Sequence, residues 1–275
     1  MGKVRHILSL SGGKDSTALA IYLRDRIPDL EYVFCDTEKE LPETYEYLGR
    51  VEAYLGKPIV RLKHDGRGFD HWFTVYNKYL PSPASRWCTR HLKLQPFEQF
   101  IGGDEVVNYI GIRADEQREG YISHKPNITG RYPFKEDGIT KRDVLQMLES
   151  SGLGLPAYYK WRSRSGCYFC FFQQKIEWVG LLENHRERFV EAMAYEKEST
   201  AYGERYTWSE GESLEELSRP ERVEQIKAEY ARRMEMERKR IQKDMPLIKV
   251  IIDYEAFDSV MEALGVDEAC LVCHK

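Results

Sequence analysis

Hydrophobic residues in the first 112 positions form short apolar runs that alternate with amphipathic stretches. Four runs have the length and composition of buried strands, and they cover residues 4–10, 31–35, 58–62 and 106–112. Helical patterns follow the first two runs, over residues 16–26 and 42–55, and the second begins with proline, which is favoured in a first helical turn. This alternation predicts an α/β fold with a doubly wound, mostly parallel sheet and helices on both of its faces.

Beyond about residue 150 helical patterns dominate. Helices are predicted over residues 175–198 and 220–243, and the mixed charges of the second indicate a solvated helix. A short strand over 247–252 and a helix near 255–264 precede a tail that contains two cysteines. We therefore expect an α/β nucleotide-binding domain over residues 1–175 and a mainly helical C-terminal region over residues 176–275.

The first strand leads directly into a Ser/Gly-rich turn at the start of a helix. Its glycines let backbone N–H groups approach an anion, and the helix directs further N–H groups and its positive dipole end to the same point. Lys14 adds a positive charge, and three hydroxyl groups add donors. Because the Gly-Gly pair adjoins the lysine, the Walker A spacing is excluded. The predicted phosphate loop contains Ser11, Gly12, Gly13, Lys14, Asp15, Ser16 and Thr17.

Two further polar residues follow predicted strands. Asp36 comes after the second strand and Arg113 after the fourth. Ligands of parallel sheets bind at the carboxyl ends of the strands, so we expect both residues beside the phosphate loop. A carboxylate there can hydrogen-bond a ribose hydroxyl or hold Mg²⁺.

Basic residues surround cysteines in two other segments. Because cations interleaved with aromatic residues suit a phosphate backbone, we expect five of them to bind substrate phosphate or nucleic acid. These residues are Arg86, Arg90, Lys93, Arg162 and Arg164.

The cysteines themselves are candidate metal ligands. The spacing Cys167-x-x-Cys170 is typical of thiolate metal sites, Cys88 is the natural third ligand, and Cys270 or Cys273 could supply the fourth. Thiolates suit either Zn²⁺ or an iron–sulfur cluster, and free thiols remain a third possibility. Cys35 lies in an apolar run and is expected to be buried and inert.

Composition limits the possible settings. The chain has 275 residues and a net charge of −4, which excludes a broadly basic nucleic-acid surface. No stretch approaches the ~18 apolar residues of a membrane span, so no membrane association is expected. Six cysteines without a secretion signal indicate a reducing, cytoplasmic location.

Two motifs resemble those of one superfamily. Residues 11–16, SGGKDS, resemble the pyrophosphate loop (PP-loop) of the ATP pyrophosphatases. Residues 36–44 resemble the D-T-G-x-x-F-P-E-T signature of the phosphoadenosine phosphosulfate (PAPS) reductases, with Glu38 where that family commonly carries glycine. Across residues 5–175 the combination with C-T-R-x-L-K, G-I-R-x-D-E and S-G-C-x-F-C is similar to the branch that includes the sulfur-transfer component of bacterial DNA phosphorothioation systems.

The resemblance implies an adenine nucleotide α hydrolase-like fold that binds ATP and Mg²⁺. It implies cleavage of ATP to AMP and pyrophosphate at a site containing Lys14 and Asp15, with AMP transferred to an oxygen of a DNA backbone phosphate that sulfur then replaces. A [4Fe–4S] cluster, a cysteine desulfurase as sulfur donor and other phosphorothioation proteins are the implied cofactor and partners. The reductases carry Cys-Cys where this chain has Trp87-Cys88, which counts against the cluster.

Two other functions remain open. The tail around Cys270 and Cys273 loosely resembles the E-C-G-L-H catalytic tail of PAPS reductases, so a thiol there could act on PAPS or adenylylsulfate and yield sulfite. Alternatively, the chain could be a non-catalytic nucleotide-binding subunit that docks partners through the charged helix over residues 220–243.

Overall fold

A five-stranded sheet forms the centre of the N-terminal half. The structure, a computed structural model, describes residues 3–63, 66–117, 125–198 and 206–244. The strands are β1 (Arg5–Ser9), β2 (Leu30–Cys35), β3 (Ile59–Leu62), β4 (Val106–Tyr109) and β5 (Ile128–Arg131). Their order is β3-β2-β1-β4-β5 and every neighbouring pair is parallel, which confirms the predicted fold class.

Helices cover both faces of the sheet. Side chains of α1 (Lys14–Leu23), α2 (Pro42–Leu55) and α7 (Lys141–Ser150) pack on one face, and α5 (Gln95–Ile101) packs on the other. Consecutive residues of β1 serve opposite faces: Leu8 joins the core with α1, and Ile7 joins the core with α5. Because this strand is buried on both sides, it reads as a continuous apolar run in the sequence.

The other helical elements surround a second, aromatic-rich core. They are α3 (Phe69–Val75), α4 (Trp87–Thr89), a π-helical turn (Arg90–Leu94), a 3₁₀ turn (Ala157–Lys160), α8 (Lys175–Asn184), α9 (Arg186–Glu198), α10 (Leu214–Leu217) and α11 (Pro220–Asp244). The short helix α6 (Pro133–Glu136) instead adds Phe134 to the core that contains α1. The rings of Phe69 and Phe169 are in tilted contact with centroids 4.4 Å apart, and Trp178 and Trp208 belong to the same cluster. The cluster therefore combines residues from both sides of position 175.

The predicted helices of the C-terminal half are present with one change. The helix predicted over residues 175–198 is divided into α8 and α9 at His185, whose φ of −140° and ψ of 65° are not helical. The long charged helix is present as α11. The predictions for 247–252, 255–264 and the cysteine tail lie outside the described residues. Within the described ranges, no helix combines the length and the apolar character that a membrane span needs.

Two helical glycines differ in the space around them, and they predict opposite effects of a single methyl group. At Gly180 in α8 an added Cβ would lie 2.6 Å from Cε3 of Trp161, whereas at exposed Gly49 in α2 nothing lies within 4 Å. We expect Gly180→Ala to destabilise the protein by about 1–3 kcal/mol through overpacking. Gly49→Ala should stabilise it by about 0.5–1 kcal/mol through helix propensity. Urea unfolding followed by circular dichroism measures both, and shifts of the same sign would contradict the packing around Trp161.

Candidate nucleotide site and thiol pocket

The strand order reverses between β1 and β4, and the predicted phosphate loop lies at that point. In open α/β sheets the crevice at such a reversal is where ligands bind. The loop follows β1, and the segment Gly111–Arg113 follows β4 beside it. A Cβ at Gly111 would lie 3.0 Å from the carbonyl oxygen of Asp15, so the close approach of the two segments requires glycine.

The loop is a tight turn held by its own hydroxyl groups. Gly12 has a φ of 73°, and a Cβ there would lie 2.8 Å from Cγ2 of Thr44, so both conformation and space require glycine. The hydroxyl oxygens of Ser11 and Ser16 are 3.1 Å apart, and Ser16 donates to the Gly13 carbonyl oxygen at 3.3 Å. Thr17 is fully buried in the first turn of α1.

Three buried charged residues connect the loop to the segment after β4. Lys14 Nζ lies 3.2 Å from Asp15 Oδ2, and Arg113 lies 2.9 Å from Asp15 Oδ1. Arg113 also contacts Asp115 at 2.9 Å and Glu116 at 3.0 Å. Burial alone would raise the pKa of Asp15, but the charges of Lys14 and Arg113 outweigh it and hold this pKa well below its usual range. The stability that Asp15 contributes is therefore present above an unfolded pKa of ~3.9 and lost in stronger acid.

Asp36 occupies the next strand end, as the sequence predicts. It is 7% exposed and accepts hydrogen bonds from the Tyr45 hydroxyl at 2.7 Å and the Glu38 N–H at 2.9 Å. Lys63 Nζ lies 3.6 Å from its second oxygen. These contacts fix the carboxylate at the edge of the crevice, one strand away from the loop.

A second segment, residues 157–167, packs against the phosphate loop. The Tyr158 hydroxyl donates to the Gly12 carbonyl oxygen at 2.7 Å, the Tyr159 hydroxyl accepts the Lys14 N–H at 3.1 Å, and Ser165 Oγ donates to Ser11 Oγ at 3.1 Å. We call this segment the clamp. This role was not predicted, because the segment shows neither strand nor helix periodicity in its sequence; two adjacent tyrosines near the Cys-x-x-Cys spacing were the available signal.

The clamp leads into a pocket lined by Cys88, Cys167 and Cys170, which we call the thiol pocket. Thr37, which follows Asp36, also lines it, and the Thr37 hydroxyl oxygen lies 3.1 Å from Cys167 Sγ. Thr37 donates at 2.9 Å to Glu40, which is 5% exposed and absent from the sequence prediction. Burial, followed by the nearby Glu40 charge, raises the pKa of the Cys167 thiol.

The side chains that line the thiol pocket are of the types that bind a metal ion or an iron–sulfur cluster through thiolates. Three cysteines and the cations Lys93 and Arg164 line one space, and positive charge would offset the negative charge of thiolate ligands. No three His, Cys, Asp or Glu side chains of the described ranges are already arranged around a common metal position. Cys270 and Cys273, predicted as ligand or sulfur carrier, lie outside those ranges. Cys35 is half-buried and donates to the Lys93 carbonyl oxygen at 3.5 Å.

Three of the five cations predicted to bind phosphate are buried. Arg162 is 1% exposed and donates to the carbonyl oxygens of Gly166 at 3.0 Å and Cys167 at 2.7 Å, so it holds the Cys-x-x-Cys turn. Arg164 and Lys93 are 3% and 8% exposed and face the thiol pocket. The expected basic surface is therefore smaller: Arg86 is half-buried over the ring of Phe172, and Arg90 is exposed.

The buried charges around Asp15 predict a large effect of removing Arg113. Arg113→Met would remove the buried cation that the carboxylates of Asp15 and Glu116 share, which costs about 3–5 kcal/mol. Arg131 is the matched control, because it lies at the end of β5 and pairs with Glu136 but is 55% exposed. Arg131→Met should cost less than about 1 kcal/mol. Urea unfolding measures the free energy of unfolding of both variants. Equal losses would contradict a special contribution of the buried Arg113 contacts to stability.

The N-terminal half matches a known domain family. Residues 5–131 match the family model of the phosphoadenosine phosphosulfate reductase domain. An uncharacterised protein of Methanocaldococcus jannaschii is 29% identical over 178 residues, which are 60% of this chain and 35% of that protein. An adenosine 5′-phosphosulfate reductase of Staphylococcus haemolyticus is 28% identical over 110 residues, or 40% of this chain and 45% of the enzyme. The matched parts thus span less than half of either relative.

Solved structures show more distant likenesses. A phosphoadenylyl-sulfate reductase from Candida auris in a phosphate complex superimposes with a TM-score of 0.47 and 13% identity, over 60% of this chain and 81% of that one. The U34-tRNA thiolase NcsA from Methanococcus maripaludis with its [4Fe-4S] cluster gives a TM-score of 0.41 and 17% identity, over 71% and 72%. Residues 5–131, which contain the phosphate loop and the five parallel strands, are thus similar to the phosphoadenosine phosphosulfate reductase domain.

Proposed function

We propose that the protein cleaves ATP to AMP and pyrophosphate and uses the activated acceptor for sulfur transfer. The observation that carries this proposal is the direct contact between the phosphate loop and the thiol pocket. Ser165 binds the loop at Ser11, and Cys167, two residues later, lies against Thr37 at the end of β2. The clamp therefore joins the proposed phosphate site to the proposed sulfur site.

The loop supplies the nucleotide half of the reaction. Its backbone N–H groups, the α1 N-terminus and Lys14 attract the β and γ phosphates, and Mg²⁺ would add further positive charge. An acceptor oxygen then attacks the α phosphorus, the bond to the bridging oxygen breaks, and pyrophosphate leaves. Asp36 would hold a ribose hydroxyl, because it lies at the end of the strand beside the loop.

The cysteines supply the sulfur half. The terminal sulfur of a cysteine persulfide attacks the adenylylated acceptor, and AMP leaves. A second cysteine thiolate then attacks the remaining sulfur–sulfur bond, which releases the thiolated product and leaves a protein disulfide. A thiol reductant must supply two electrons to restore the cysteines, and a cysteine desulfurase is the expected persulfide source. Cys270 of the tail and the cysteine of the sulfur donor are the proposed partners in this exchange, which leaves Cys88, Cys167 and Cys170 of the thiol pocket as candidate metal ligands.

We propose a phosphate oxygen of nucleic acid, in the first place DNA, as the acceptor. Support comes from the motif resemblance and from Arg86 and Arg90, which remain at least partly exposed beside Cys88. We also propose that Cys88, Cys167, Cys170 and a tail cysteine, Cys273 in the first instance, bind a [4Fe–4S] cluster, with Zn²⁺ as the alternative. Such a cluster would hold or activate sulfur beside the nucleotide.

Adenylylsulfate or PAPS reduction is the second candidate, and the relatives favour it. The matched family model and the Staphylococcus haemolyticus relative carry reductase names. In that reaction a tail thiol attacks the sulfate sulfur, the nucleotide leaves, and reduction of the thiosulfonate by thioredoxin releases sulfite without ATP. Sulfite formation from either sulfated nucleotide would reverse the order of the two candidates.

Lys14 gives the direct test of ATP cleavage. We expect pyrophosphate and AMP from ATP in the presence of a phosphate-bearing acceptor, and a loss of at least about 100-fold in Lys14→Ala and Lys14→Met, because charge stabilisation in the transition state is lost. Lys3→Ala, in an exposed ion pair with Asp29, should retain the rate. Nucleotide binding and thermal melting of each variant separate lost catalysis from lost folding. Turnover to ADP, or tight ATP binding without turnover in the presence of DNA and a desulfurase, would refute the proposal.

The cluster predicts a visible absorption band. Protein purified without oxygen, or reconstituted with iron and sulfide, should be brown, and Cys88→Ser, Cys167→Ser or Cys170→Ser should remove most of the bound iron. Cys35→Ser is the matched control and should keep it, since Cys35 does not line the thiol pocket. Metal analysis of the same samples detects zinc, and a colourless protein without metal would leave free thiols as the explanation.

A further inference from the structure

Glu38 occupies an unusual backbone conformation at the ribose edge of the site. Its φ of 62° lies in the left-handed region, where glycine is unstrained and other residues cost free energy. The position corresponds to the glycine of the D-T-G-x-x-F-P-E-T signature. A glutamate therefore stands where the backbone favours glycine, next to the carboxylate that is placed to meet the ribose.

The side chain of Glu38 is directed to a single cation. Its Oε1 lies 2.7 Å from Lys63 Nζ, and the same ammonium group lies 3.6 Å from Asp36 Oδ2. The hydrogen bond from Lys63 to Glu38 raises the pKa of that lysine, so it stays charged and paired at neutral pH. The Glu38 carboxylate also approaches the start of α3, because a Cβ at Gly68 would lie 2.9 Å from Oε2.

The charges at this edge are already balanced without a ligand. Two carboxylates, Asp36 and Glu38, share Lys63, and Arg61 lies over the ring of Tyr45, whose hydroxyl binds Asp36. A ribose with free hydroxyl groups can donate to a carboxylate here. A ribose phosphate would bring two negative charges against Glu38 and would find the charge of Lys63 already neutralised.

We propose that Glu38 and Lys63 together make the site selective for adenine nucleotides with an unphosphorylated ribose, such as ATP or adenylylsulfate, against 3′-phosphorylated ones such as PAPS. The inference rests on the proposed nucleotide site and names which nucleotides it takes. Glu38 acts by its own charge and by holding Lys63. Without Glu38, Lys63 becomes available to a phosphate group, so its loss should increase binding of the phosphorylated nucleotide.

The test compares two probes that differ only by the 3′-phosphate, 5′-AMP and adenosine 3′,5′-bisphosphate, by calorimetry on the full chain. The wild-type protein should bind AMP at least about tenfold more tightly. Glu38→Gln, which keeps the shape and removes the charge, should reduce this ratio at least about fivefold, mainly by tighter binding of the bisphosphate. Glu38→Gly should do the same and also raise the melting temperature, because it removes the strained residue. Adding Lys63→Met to Glu38→Gln should reverse the gain.

Glu46→Gln is the matched control, since Glu46 is an exposed glutamate of α2, and it should leave the ratio unchanged. Equal wild-type affinities for the two probes, or an unchanged ratio in both Glu38 variants, would overturn the selectivity. Binding of neither probe would overturn it together with the nucleotide site. Selective binding without pyrophosphate release from ATP would instead support the selectivity and refute ATP cleavage, so the two failures are distinguishable.

Discussion

The buried contact between Arg113 and Asp15 is the constraint on which the candidate site depends. It joins the first turn of α1 to the segment that follows β4, across the point where the strand order reverses. A buried ion pair gives little net stability, because desolvation offsets the attraction, but removal of one partner is costly. The contact therefore acts mainly to fix position: Asp15 is held by Arg113, and Lys14 is held by Asp15 at the opening of the phosphate loop.

The clamp provides the corresponding constraint from the other side of the loop. Tyr158 and Tyr159 bind backbone groups of the loop, and Gly13 has no room for a side chain because a Cβ would lie 2.7 Å from Ser165 Oγ. The same segment continues into Cys167, whose carbonyl oxygen is held by Arg162. The clamp thus connects the phosphate loop to the cysteine turn that lines the thiol pocket.

The sequence predicted the features that depend on local pattern. Four strands were visible as apolar runs: β1, β2 and β4 lie inside the sheet, and the edge strand β3 keeps apolar residues although its two central positions are exposed. The loop was visible because its glycines are required by a turn and a close approach. β5 was missed because its four residues, Ile-Thr-Gly-Arg, contain a single large apolar side chain. The clamp could not be predicted, since its bonds to the loop join residues more than 140 positions apart.

The cations show why the burial of charged residues is harder to predict from sequence than the burial of apolar ones. A cluster such as Arg162 and Arg164 usually indicates a solvated surface, because burial of a cation without a counter-charge is expensive. Here the acceptors and the counter-charge come from the segments that follow: the carbonyl groups of Gly166 and Cys167 for Arg162, and Glu177 of α8 for Arg164. The guanidinium groups that the sequence assigns to a polyanion instead organise the thiol pocket. Of the five cations, Arg90 alone is exposed, so for the proposed phosphate acceptor Lys93 and Arg164 are within reach only through the thiol pocket that they line.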